Sequence, residues 1–461
     1  MSSSNEMLSC FKAYDIRGRL GEELNEDIAY RIGRATAQHL KSKDIVIGYD
    51  ARETSKSLAE ACARGINDGR AHVLNIGLCG TEEVYWAVNS LKAEAGIEVT
   101  ASHNPIEYNG MKIVKAGSKP LDDEQDFQVI KKIASVGEFT PEIHNTTQHD
   151  RAEMARAAYV QKLLSFVSSA ALKPLKIVVN SGNGAAGPTF DALENGLKTA
   201  GVSAEFIRVH HNPDPIFPNG IPNPLLPENH AATADVVLRE GADFGVAFDG
   251  DFDGCFLFDE TGAFVPGEYI IGLLANVFLE KEQGAKIVHD PRVVWNTRET
   301  VSAKGGEPIV SKTGHAFIKA TMRACDANYG GEMSAHHYFR DFAYCDSGMI
   351  PWLLIWELIS KTGKSLGALL TECRENFPSS GEQNFKVSDA TGCLSSIKLK
   401  YQNDADRVDE LDGVSMEFKD WRFNVRKSNT EPLLRLNVET RGDKELLSEK
   451  AQELIAFIKA S

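Results

Sequence analysis

The segment Lys43-Asp-Ile-Val-Ile-Gly-Tyr-Asp50 contains the pattern that decides the fold. A short β-branched run ends in a glycine and polar residues, which is typical of a buried strand that leads into a loop. Residues 58–66 then have helical periodicity, and residues 73–76 form a second apolar run. A strand, a helix and a strand in this order predict a crossover unit in a largely parallel sheet.

The same pattern occurs twice more, at Lys176-Ile-Val-Val-Asn-Ser-Gly-Asn183 and at Lys286-Ile-Val-His-Asp-Pro-Arg292. The predicted helices and second strands that follow are residues 190–197 and 205–209 in one case and residues 296–303 and 308–310 in the other. The repeats start at Ile45, Ile177 and Ile287, which are 132 and 110 residues apart. Repetition at this spacing predicts three α/β domains of similar construction.

The last part of the chain departs from this pattern. From about residue 375 we expect a loop-rich region, a strand pair at residues 415–423 and 433–438, and an amphipathic helix at residues 444–459. The predicted fold class is therefore α/β, with three similar mixed-sheet α/β domains and a smaller C-terminal α+β domain. The predicted domains are residues 1–150, 151–260, 261–373 and 374–461.

Composition excludes several classes of protein. The chain has 461 residues, of which 42% are hydrophobic and 25% charged, as in soluble globular proteins. A count of 50 Lys+Arg against 65 Asp+Glu gives a net charge of −15, which argues against a nucleic-acid or anionic-membrane binder. No long apolar run and no signal-peptide pattern occur, so we expect a cytoplasmic protein. Eight cysteines without a CxxC pair predict reduced thiols.

A serine follows the predicted strand at residues 97–99, within Thr100-Ala-Ser-His-Asn-Pro105. Ligands of open α/β sheets bind at the carboxyl ends of strands. A serine hydroxyl is a weak nucleophile unless a base or a metal assists it, and the adjacent His103 would help to order the loop. Taken alone, the motif is weak evidence for chemistry, and an ordinary Asn-Pro turn explains it better.

The motif Phe248-Asp-Gly-Asp-Phe-Asp-Gly254 has aspartates at three alternate positions, Asp249, Asp251 and Asp253. Carboxylates this close repel one another, so the motif favours a hard divalent cation. With Glu260 the segment also fits the calcium-binding EF-hand loop, but that loop lies between two helices, whereas strand-like residues flank this motif. We predict a divalent site on a strand-to-strand loop, and the pattern leaves Mg²⁺ and Ca²⁺ open.

Two later motifs are rich in polar groups. Gly330-Gly-Glu-Met-Ser-Ala-His-His337 has Glu332, Ser334 and His336 at period two, so in an extended loop they would point one way, as sugar hydroxyls require. Arg426-Lys-Ser-Asn-Thr-Glu-Pro432 gathers donors that suit a phosphate. The alternatives are a glycine turn before a strand for the first motif and an exposed turn for the second.

One proline-rich segment and one glycine-rich segment are better explained by backbone structure than by ligand binding. Residues 212–227 contain six prolines and can be neither helix nor central strand, so they form a rigid loop, either at the surface or as a wall between domains. Gly182-Asn-Gly-Ala-Ala-Gly187 lacks the ending of a phosphate-binding loop. We expect it to be a tight strand-to-helix connection.

With these motifs in this order, the chain resembles the α-D-phosphohexomutases, and most closely their bacterial phosphomannomutase branch. The resemblance extends from Phe11-Lys-Ala-Tyr-Asp-Ile-Arg-Gly18 to Arg435-Leu-Asn-Val-Glu439. It implies four domains around a central cleft and a reversible conversion of mannose 6-phosphate to mannose 1-phosphate, feeding GDP-mannose and surface polysaccharide synthesis. A phosphoglucomutase or a dual-specificity enzyme is the alternative. Small hexose phosphates would be the partners, without nucleic acid or membrane.

The resemblance also implies residue roles. Ser102 would carry the phosphate as phosphoserine and, with Asp249, Asp251 and Asp253, would hold Mg²⁺. A hexose 1,6-bisphosphate would be the intermediate and activator. The implied catalytic residues are Ser102, Arg17, Lys112 and His103. The implied substrate-binding residues are Tyr14, Arg292, His315, Glu332, Ser334, His336, Arg426, Ser428, Asn429 and Thr430.

One position departs from the family pattern. The family loop reads D-G-D-x-D-R, and here Gly254 stands in place of the arginine. A fixed positive charge beside the phosphoserine is therefore missing. We expect slower phosphoryl transfer or a weaker phosphoenzyme with metal binding retained, and the alternative is a phosphosugar-binding homologue with impaired catalysis.

Overall fold

The computed structural model describes residues 7–137, 139–140, 147–427 and 433–460. The chain divides into two compact units, one comprising Met1–Phe264 and Asp341–Gly363 and the other Val265–Arg340 and Lys364–Ser461. Among the described residues, none of the helices combines the length and apolar character that crossing a membrane would require.

The first sheet of the first unit has the strand order β1-β5-β4-β2-β3-β7, with β6 paired to β5. Its strands are β1 (Ile16–Arg19), β2 (Asp44–Tyr49), β3 (His72–Leu78), β4 (Ala95–Val99), β5 (Tyr108–Lys115), β6 (Lys119–Pro120) and β7 (Gln148–Asp150). The helices are α1 (Glu26–Leu40), α2 (Ser55–Asp68), α3 (Thr81–Ser90), α4 (Gln128–Val136) and α5 (Ala152–Leu164). Ile45, Val46 and Ile47 are all buried because β2 is a central strand covered on both faces.

The second sheet of the first unit has the order β12-β11-β10-β8-β9. Its elements are β8 (Lys176–Asn180), α6 (Ala186–Thr199), β9 (Glu205–Val209), α7 (Ala231–Glu240), β10 (Phe244–Ala247), β11 (Phe256–Phe258) and β12 (Phe264–Val265). Residues 181–185 connect β8 directly to α6, which confirms the tight connection predicted there. Residues 212–226 lie outside every helix and strand, as their prolines predict.

The second unit begins with a sheet in which four strands follow the order β14-β13-β15-β16. Its elements are α8 (Gly267–Lys281), β13 (Lys286–His289), α9 (Trp295–Ala303), β14 (Glu307–Val310), α10 (His315–Cys325), β15 (Tyr329–Gly331) and β16 (His337–Phe339). The chain then contributes β17 (Cys345–Asp346) and α11 (Met349–Thr362) to the first unit. The α11 residue Trp356 is fully buried and donates from Nε1 to the carbonyl oxygen of Lys173 at 2.8 Å.

The three sheets share one arrangement, which explains the sequence repeat. In each, a central strand (β2, β8 or β13) pairs in parallel with the next strand on one side and with a later strand on the other. That later strand then turns back into an antiparallel neighbour, giving the hairpins β4-β5, β10-β11 and β15-β16. The three hairpin loops are residues 100–107, 248–255 and 332–336. The first contains Ser102, the second the three aspartates, and the third, which we call the GEMSAH loop, contains Glu332, Ser334 and His336.

The C-terminal part is an antiparallel sheet of order β18-β22-β21-β20-β19 with helices. Its elements are α12 (Leu366–Asn376), β18 (Gln383–Phe385), α13 (Ala390–Tyr401), β19 (Arg407–Asp409), β20 (Val414–Glu417), β21 (Trp421–Lys427), β22 (Leu434–Thr440) and α14 (Lys444–Ala460). The predicted final helix is confirmed. The single strand expected at residues 415–423 is wrong, because the chain reverses at residues 418–420 and forms both β20 and β21. The loop-rich expectation also missed α13, whose N-terminal cap, Asp389, is a local signal.

All eight cysteines lie within the described residues, none of them forms a disulfide bond, and six of them are buried. Burial raises the pKa of Cys62 to about 12, so its thiol stays protonated at neutral pH. This agrees with the prediction of reduced thiols that act mainly as core residues.

Candidate active site

Ser102 lies just beyond the end of β4, where its hydroxyl meets a carboxylate. Its Oγ donates to Asp249 Oδ2 at 2.5 Å and lies 3.1 Å from Nδ1 of His103. Ser102 is only 8% exposed, and its φ of 48° is in the left-handed region that a serine rarely adopts. Ser102 therefore lies at a strand end, as the sequence predicts, and the structure adds an unusual backbone conformation.

The three predicted metal ligands are buried together in the β10-β11 loop. Asp249, Asp251 and Asp253 each offer an oxygen, and these oxygens lie within 4.8 Å of one another. Oδ1 of Asp251 is buried and accepts no hydrogen bond from the described residues, so a ligand position is available there. Antiparallel pairing of β10 with β11 rules out the helix-flanked EF-hand alternative. The residues fit a divalent cation.

Lys112, on β5, compensates part of this negative charge. Its Nζ donates to Asp251 Oδ2 at 2.8 Å and to Asp253 Oδ2 at 2.5 Å. Burial lowers the pKa of Lys112, but the two aspartates outweigh burial and hold the pKa well above its ordinary value. Lys112 is therefore a permanent cation beside the predicted metal ligands.

The carboxylates respond differently to the same surroundings. Burial and the neighbouring Asp251 raise the pKa of Asp249, against the opposing effect of His103. Burial and Asp253 also raise the pKa of Asp251, but Lys112 and Thr81 outweigh them and lower it below its ordinary value. The cluster thus keeps a carboxylate at Asp251 through direct hydrogen bonds.

Arg17 enters the same region from the N-terminal end of the chain. Arg17, on β1, donates from NH1 to the carbonyl oxygen of Thr100 at 2.9 Å, so its guanidinium lies beside the serine loop. Tyr14 is half-buried and lies two residues before β1. The structure therefore brings Arg17, Lys112, His103 and Ser102 together within the first unit.

The sequence interpretation missed Thr81 because no motif surrounds it. Thr81 starts α3, donates from Oγ1 to Asp251 Oδ2 at 2.5 Å and donates from its backbone N–H to the Asp251 carbonyl oxygen at 3.1 Å. A Cβ atom on the preceding Gly80 would lie 2.5 Å from that carbonyl oxygen. Glycine is therefore required for α3 to approach the aspartate loop.

Gly254, the position where the family pattern is broken, is buried behind the aspartates. Its N–H points to Asp249 Oδ1 at 3.4 Å. A Cβ atom there would lie 2.8 Å from Cε2 of Phe256, so the space that an arginine would need is filled by a phenylalanine ring. The loss of the arginine and the position of Phe256 are thus parts of one local arrangement.

In the second unit, the GEMSAH loop differs from the extended segment predicted for it. Residues 332–336 form a tight turn in which Glu332 N–H donates to the His336 carbonyl oxygen at 2.9 Å, and Ala335 has a φ of 66°. The extended prediction is wrong because antiparallel pairing of β15 with β16 forces the chain to reverse. Ser334 and His336 still meet, since Ser334 Oγ lies 3.2 Å from His336 Nδ1.

Glu332 is buried and accepts two hydrogen bonds within the unit. Its Oε1 accepts from the Gly314 N–H at 2.7 Å and its Oε2 accepts from the Tyr338 hydroxyl at 2.5 Å. His315 follows Gly314 directly as the first residue of α10. Glu332 therefore joins the GEMSAH loop to the start of the helix that carries His315.

Three arginines of the second unit converge on one glutamate that the sequence interpretation missed. Glu382 accepts from Arg292 at 3.3 Å, from Arg426 at 3.5 Å and from Arg435 at 2.9 Å. Arg292 also donates to Asp290 at 2.7 Å and lies 3.4 Å from Ser334 Oγ. This cluster of guanidinium groups suits an anion. The predicted phosphate ligands Ser428, Asn429 and Thr430 lie outside the described residues.

In the first unit, a buried serine lies beside three carboxylates that could hold a metal ion, and in the second unit arginines gather in a cluster that suits an anion; both features fit an enzyme of phosphoryl transfer. Comparison with known families agrees. Family models described as phosphoglucomutase/phosphomannomutase alpha/beta/alpha domains I, II and III match residues 9–139, 157–262 and 266–377, and the C-terminal domain model matches residues 382–456. The chain belongs to the phosphoglucomutase/phosphomannomutase family, the α-D-phosphohexomutases, and is an isomerase.

Individual relatives match over nearly the whole chain. A phosphomannomutase of Salmonella montevideo is 55% identical over 451 residues, which cover 98% of this chain and 99% of the relative. A protein named "Phosphohexose mutases" from Xanthomonas campestris pv. campestris is 52% identical over 447 residues, covering 97% and 98%. A solved phosphoglucomutase/phosphomannomutase family protein of Burkholderia thailandensis has a TM-score of 0.85 at 30% identity, covering 98% and 97%.

Proposed function

We propose that this chain interconverts mannose 6-phosphate and mannose 1-phosphate. The observation that carries the proposal is the 2.5 Å hydrogen bond from Ser102 Oγ to Asp249 within the buried aspartate cluster. The phosphomannomutase relatives favour mannose as the sugar. The product would supply GDP-mannose synthesis, and we retain the prediction of a cytoplasmic location.

The proposed reaction is a pair of phosphoryl transfers. Phosphoserine 102 gives its phosphoryl group to the free sugar hydroxyl: the bond from phosphorus to the serine oxygen breaks, a bond to the sugar oxygen forms, and the hydroxyl proton leaves to a base. The hexose 1,6-bisphosphate then returns its other phosphoryl group to Ser102: the bond from phosphorus to that sugar oxygen breaks, a bond to the serine oxygen forms, and the serine proton passes by way of the base to the released sugar oxygen. Each turnover leaves the enzyme phosphorylated, so a hexose 1,6-bisphosphate is the expected activator.

Asp249, Asp251 and Asp253, with Ser102, are the residues that would hold Mg²⁺. Bound there, the ion would offset the charge on the transferring phosphoryl group. Lys112 and Arg17 supply fixed positive charge on the protein side, and His103 lies within hydrogen-bond distance of Ser102 Oγ. We assign these three residues to phosphate stabilisation and proton movement.

The groups of the second unit fit the non-reacting end of the substrate. Ser334 and His336, near Glu332, offer partners for sugar hydroxyls, and His315 starts the adjacent helix. Arg292 and Arg426 belong to the arginine cluster. Ser428, Asn429 and Thr430 remain predicted phosphate ligands. Tyr14 remains a predicted substrate contact, and the four domain ranges and the central cleft remain predictions.

The decisive experiment is intact-mass measurement before and after phosphatase treatment. We expect one phosphate, mapped to Ser102 by peptide analysis and absent in Ser102→Ala. A coupled assay with mannose 1-phosphate, a hexose 1,6-bisphosphate and Mg²⁺ should show turnover in the wild type only. No product at high enzyme concentration would overturn the mutase proposal and favour the phosphosugar-binding alternative, in which Gly254 impairs catalysis.

A glucose-accepting enzyme is the second candidate, because the Xanthomonas campestris relative has the broader name of phosphohexose mutase. Epimers that differ at one hydroxyl are separated by only a few hydrogen bonds. Equal kcat/KM for glucose 1-phosphate and mannose 1-phosphate would replace the mannose proposal with dual specificity.

A further inference from the structure

Arg52 is a buried arginine that holds the loop of Ser102 through its backbone. It is 3% exposed and lies three residues beyond β2, at the same edge of the sheet as Ser102. Its NH2 donates to the carbonyl oxygens of Ser102 at 2.8 Å and Asn104 at 2.5 Å. Its NH1 donates to those of Pro105 at 3.1 Å and Tyr108 at 3.2 Å. One guanidinium thus binds four carbonyl groups across the whole turn from β4 to β5.

Asp50 holds the same loop from the other side, and we call the hydrogen-bonded set of Asp50, Arg52 and Thr100 the frame of Ser102. It accepts from the hydroxyl groups of Thr100 at 2.7 Å and Ser55 at 2.5 Å, and from the Arg52 N–H at 3.0 Å. The Thr100 hydroxyl in turn accepts from the Ser102 N–H at 2.8 Å. Both backbone groups of Ser102 are therefore tied to the Asp50 and Arg52 segment.

The conformation that these contacts hold is a costly one. A φ of 48° in a residue with a Cβ is disfavoured, and such conformations persist only where surrounding contacts determine them. In this conformation Ser102 Oγ reaches Asp249. Relaxation of the loop to an ordinary φ would turn the hydroxyl away from the aspartate cluster.

Two neighbouring segments close around the same frame. The guanidinium of Arg52 lies 5.8 Å from the ring centroid of Phe217, a buried residue of the proline-rich loop at residues 212–227. A Cβ atom on Gly250 would lie 2.8 Å from the Ser102 carbonyl oxygen, so the aspartate loop packs directly on the serine loop. Phe217 therefore helps to bury the Arg52 guanidinium, and a hydrogen bond shielded from water is electrostatically stronger.

We propose that Arg52 is a positioning residue for the nucleophile, which fixes the backbone of Ser102 in the conformation that directs its hydroxyl at Asp249. The proposal rests on the proposed function of Ser102 as the phosphate carrier. Arg52 acts on carbonyl groups and does not touch the reacting atoms. A lysine cannot replace it, because an ammonium group is a compact donor that cannot span four carbonyl groups as a planar guanidinium does.

The test compares Arg52→Lys and Arg52→Met with a matched control, Arg34→Met. Arg34 is also a buried arginine of the first unit, and it donates to the Tyr30 hydroxyl and to the carbonyl oxygen of Thr140, away from Ser102. We expect kcat to fall roughly 100-fold in both Arg52 variants with KM within threefold of wild type, since misplacement of a reacting group by about 1 Å has this effect. Arg34→Met should lower the melting temperature without this loss of kcat.

A second readout separates positioning from general stability. The rate of Ser102 phosphorylation by glucose 1,6-bisphosphate should fall with kcat in Arg52→Lys, while Mg²⁺ affinity measured by calorimetry should stay within threefold of wild type. Hydrogen exchange in residues 100–108 should become faster in Arg52→Lys and stay unchanged in Arg34→Met. Normal phosphorylation and normal kcat in a folded Arg52→Lys would overturn the proposal.

The outcomes for the wild type keep the two proposals apart. Absence of phosphate on wild-type Ser102 would refute the phosphoserine function itself, whereas a phosphorylated wild type with an unimpaired Arg52→Lys would refute only the positioning role. If both Arg52 variants fail to fold, Thr100→Val tests the same frame, because it removes the hydroxyl that links Asp50 to the Ser102 N–H. An unchanged kcat in Thr100→Val would then overturn the proposal, and a tenfold loss with KM retained would support it.

Discussion

The ammonium group of Lys112 lies 2.8 Å from Oδ2 of Asp251 and shares the aspartate cluster with the predicted metal site. Removal of this cation would leave the buried carboxylates of Asp251 and Asp253 without the ammonium group that both now accept from. We expect Lys112→Met to lower the stability of the metal-free protein by roughly 3 to 5 kcal/mol, the usual cost of breaking a buried ion pair on one side. Mg²⁺ should therefore raise the melting temperature of Lys112→Met more than that of the wild type.

Thermal unfolding with chelator and with Mg²⁺ measures this difference. Lys115→Met is the matched control, because Lys115 lies on the same strand and pairs with Asp126 at 2.5 Å, outside the aspartate cluster. An equal Mg²⁺ effect in Lys112→Met and wild type would show that Lys112 does not balance the metal site.

Restoration of the family arginine at Gly254 should require a second change. Gly254→Arg alone forces Phe256 to move, since a Cβ atom would lie 2.8 Å from its ring, and overpacking of this kind costs about 1–3 kcal/mol. We expect the double variant Gly254→Arg with Phe256→Leu to recover the stability and to have higher turnover than Phe256→Leu alone. Unfolding midpoints and kcat measure both effects, and equal turnover would mean that the guanidinium is irrelevant in this chain.

Glu268 of α8 should make the stability of the protein depend on pH. Burial raises the pKa of Glu268 from 4.5 to about 7, so the folded protein retains a proton that the unfolded chain releases above pH 4.5. The stabilisation from this retained proton is fully present below pH 4.5 and is lost as the pH rises to 7. The free energy of unfolding therefore falls by roughly 3 kcal/mol over this range. Glu268→Gln, which cannot titrate, should gain stability relative to wild type between pH 4.5 and pH 8.

Denaturant unfolding of the whole chain at pH 4.5 and at pH 8, for wild type and Glu268→Gln, measures this gain. A pH-independent difference between Glu268→Gln and wild type would refute the assignment.

Glu382 should control the affinity of the arginine cluster for anions. Burial raises the pKa of Glu382, but Arg292, Arg435 and Arg426 outweigh burial and hold the pKa below its ordinary value. Glu382→Gln would leave the three guanidinium groups without this carboxylate, so inorganic phosphate should bind several-fold more tightly while the melting temperature falls. Calorimetry with phosphate measures the first effect.

The control for this prediction is Glu417→Gln, because Glu417 pairs with Arg298 at 2.7 Å in the same unit. It should lower stability without a change in phosphate affinity. Weaker phosphate binding in Glu382→Gln would indicate that Glu382 mainly orders the arginines instead of competing with the anion.

The candidate site residues that could be predicted from the sequence are those that lie with other polar groups in one short segment. Ser102 and the three aspartates belong to this class, because a strand end and a metal site each require neighbouring residues of defined type. Arg52, Thr81 and Glu382 were missed because each acts on a partner far along the chain. Arg52 binds the Ser102 carbonyl across 50 residues, Thr81 binds Asp251 across 170, and Glu382 binds Arg292 across 90.

The sequence by itself determined the repeated strand, helix and strand units, because hydrophobic periodicity and β-branched runs are local properties. It also determined the family, through motifs in a fixed order. Only the tertiary structure decided that β4-β5, β10-β11 and β15-β16 are equivalent hairpins, that Lys112 pairs with two aspartates, and that residues 332–336 turn tightly. These features depend on strand pairing and on buried contacts between distant residues, and no local preference encodes such contacts.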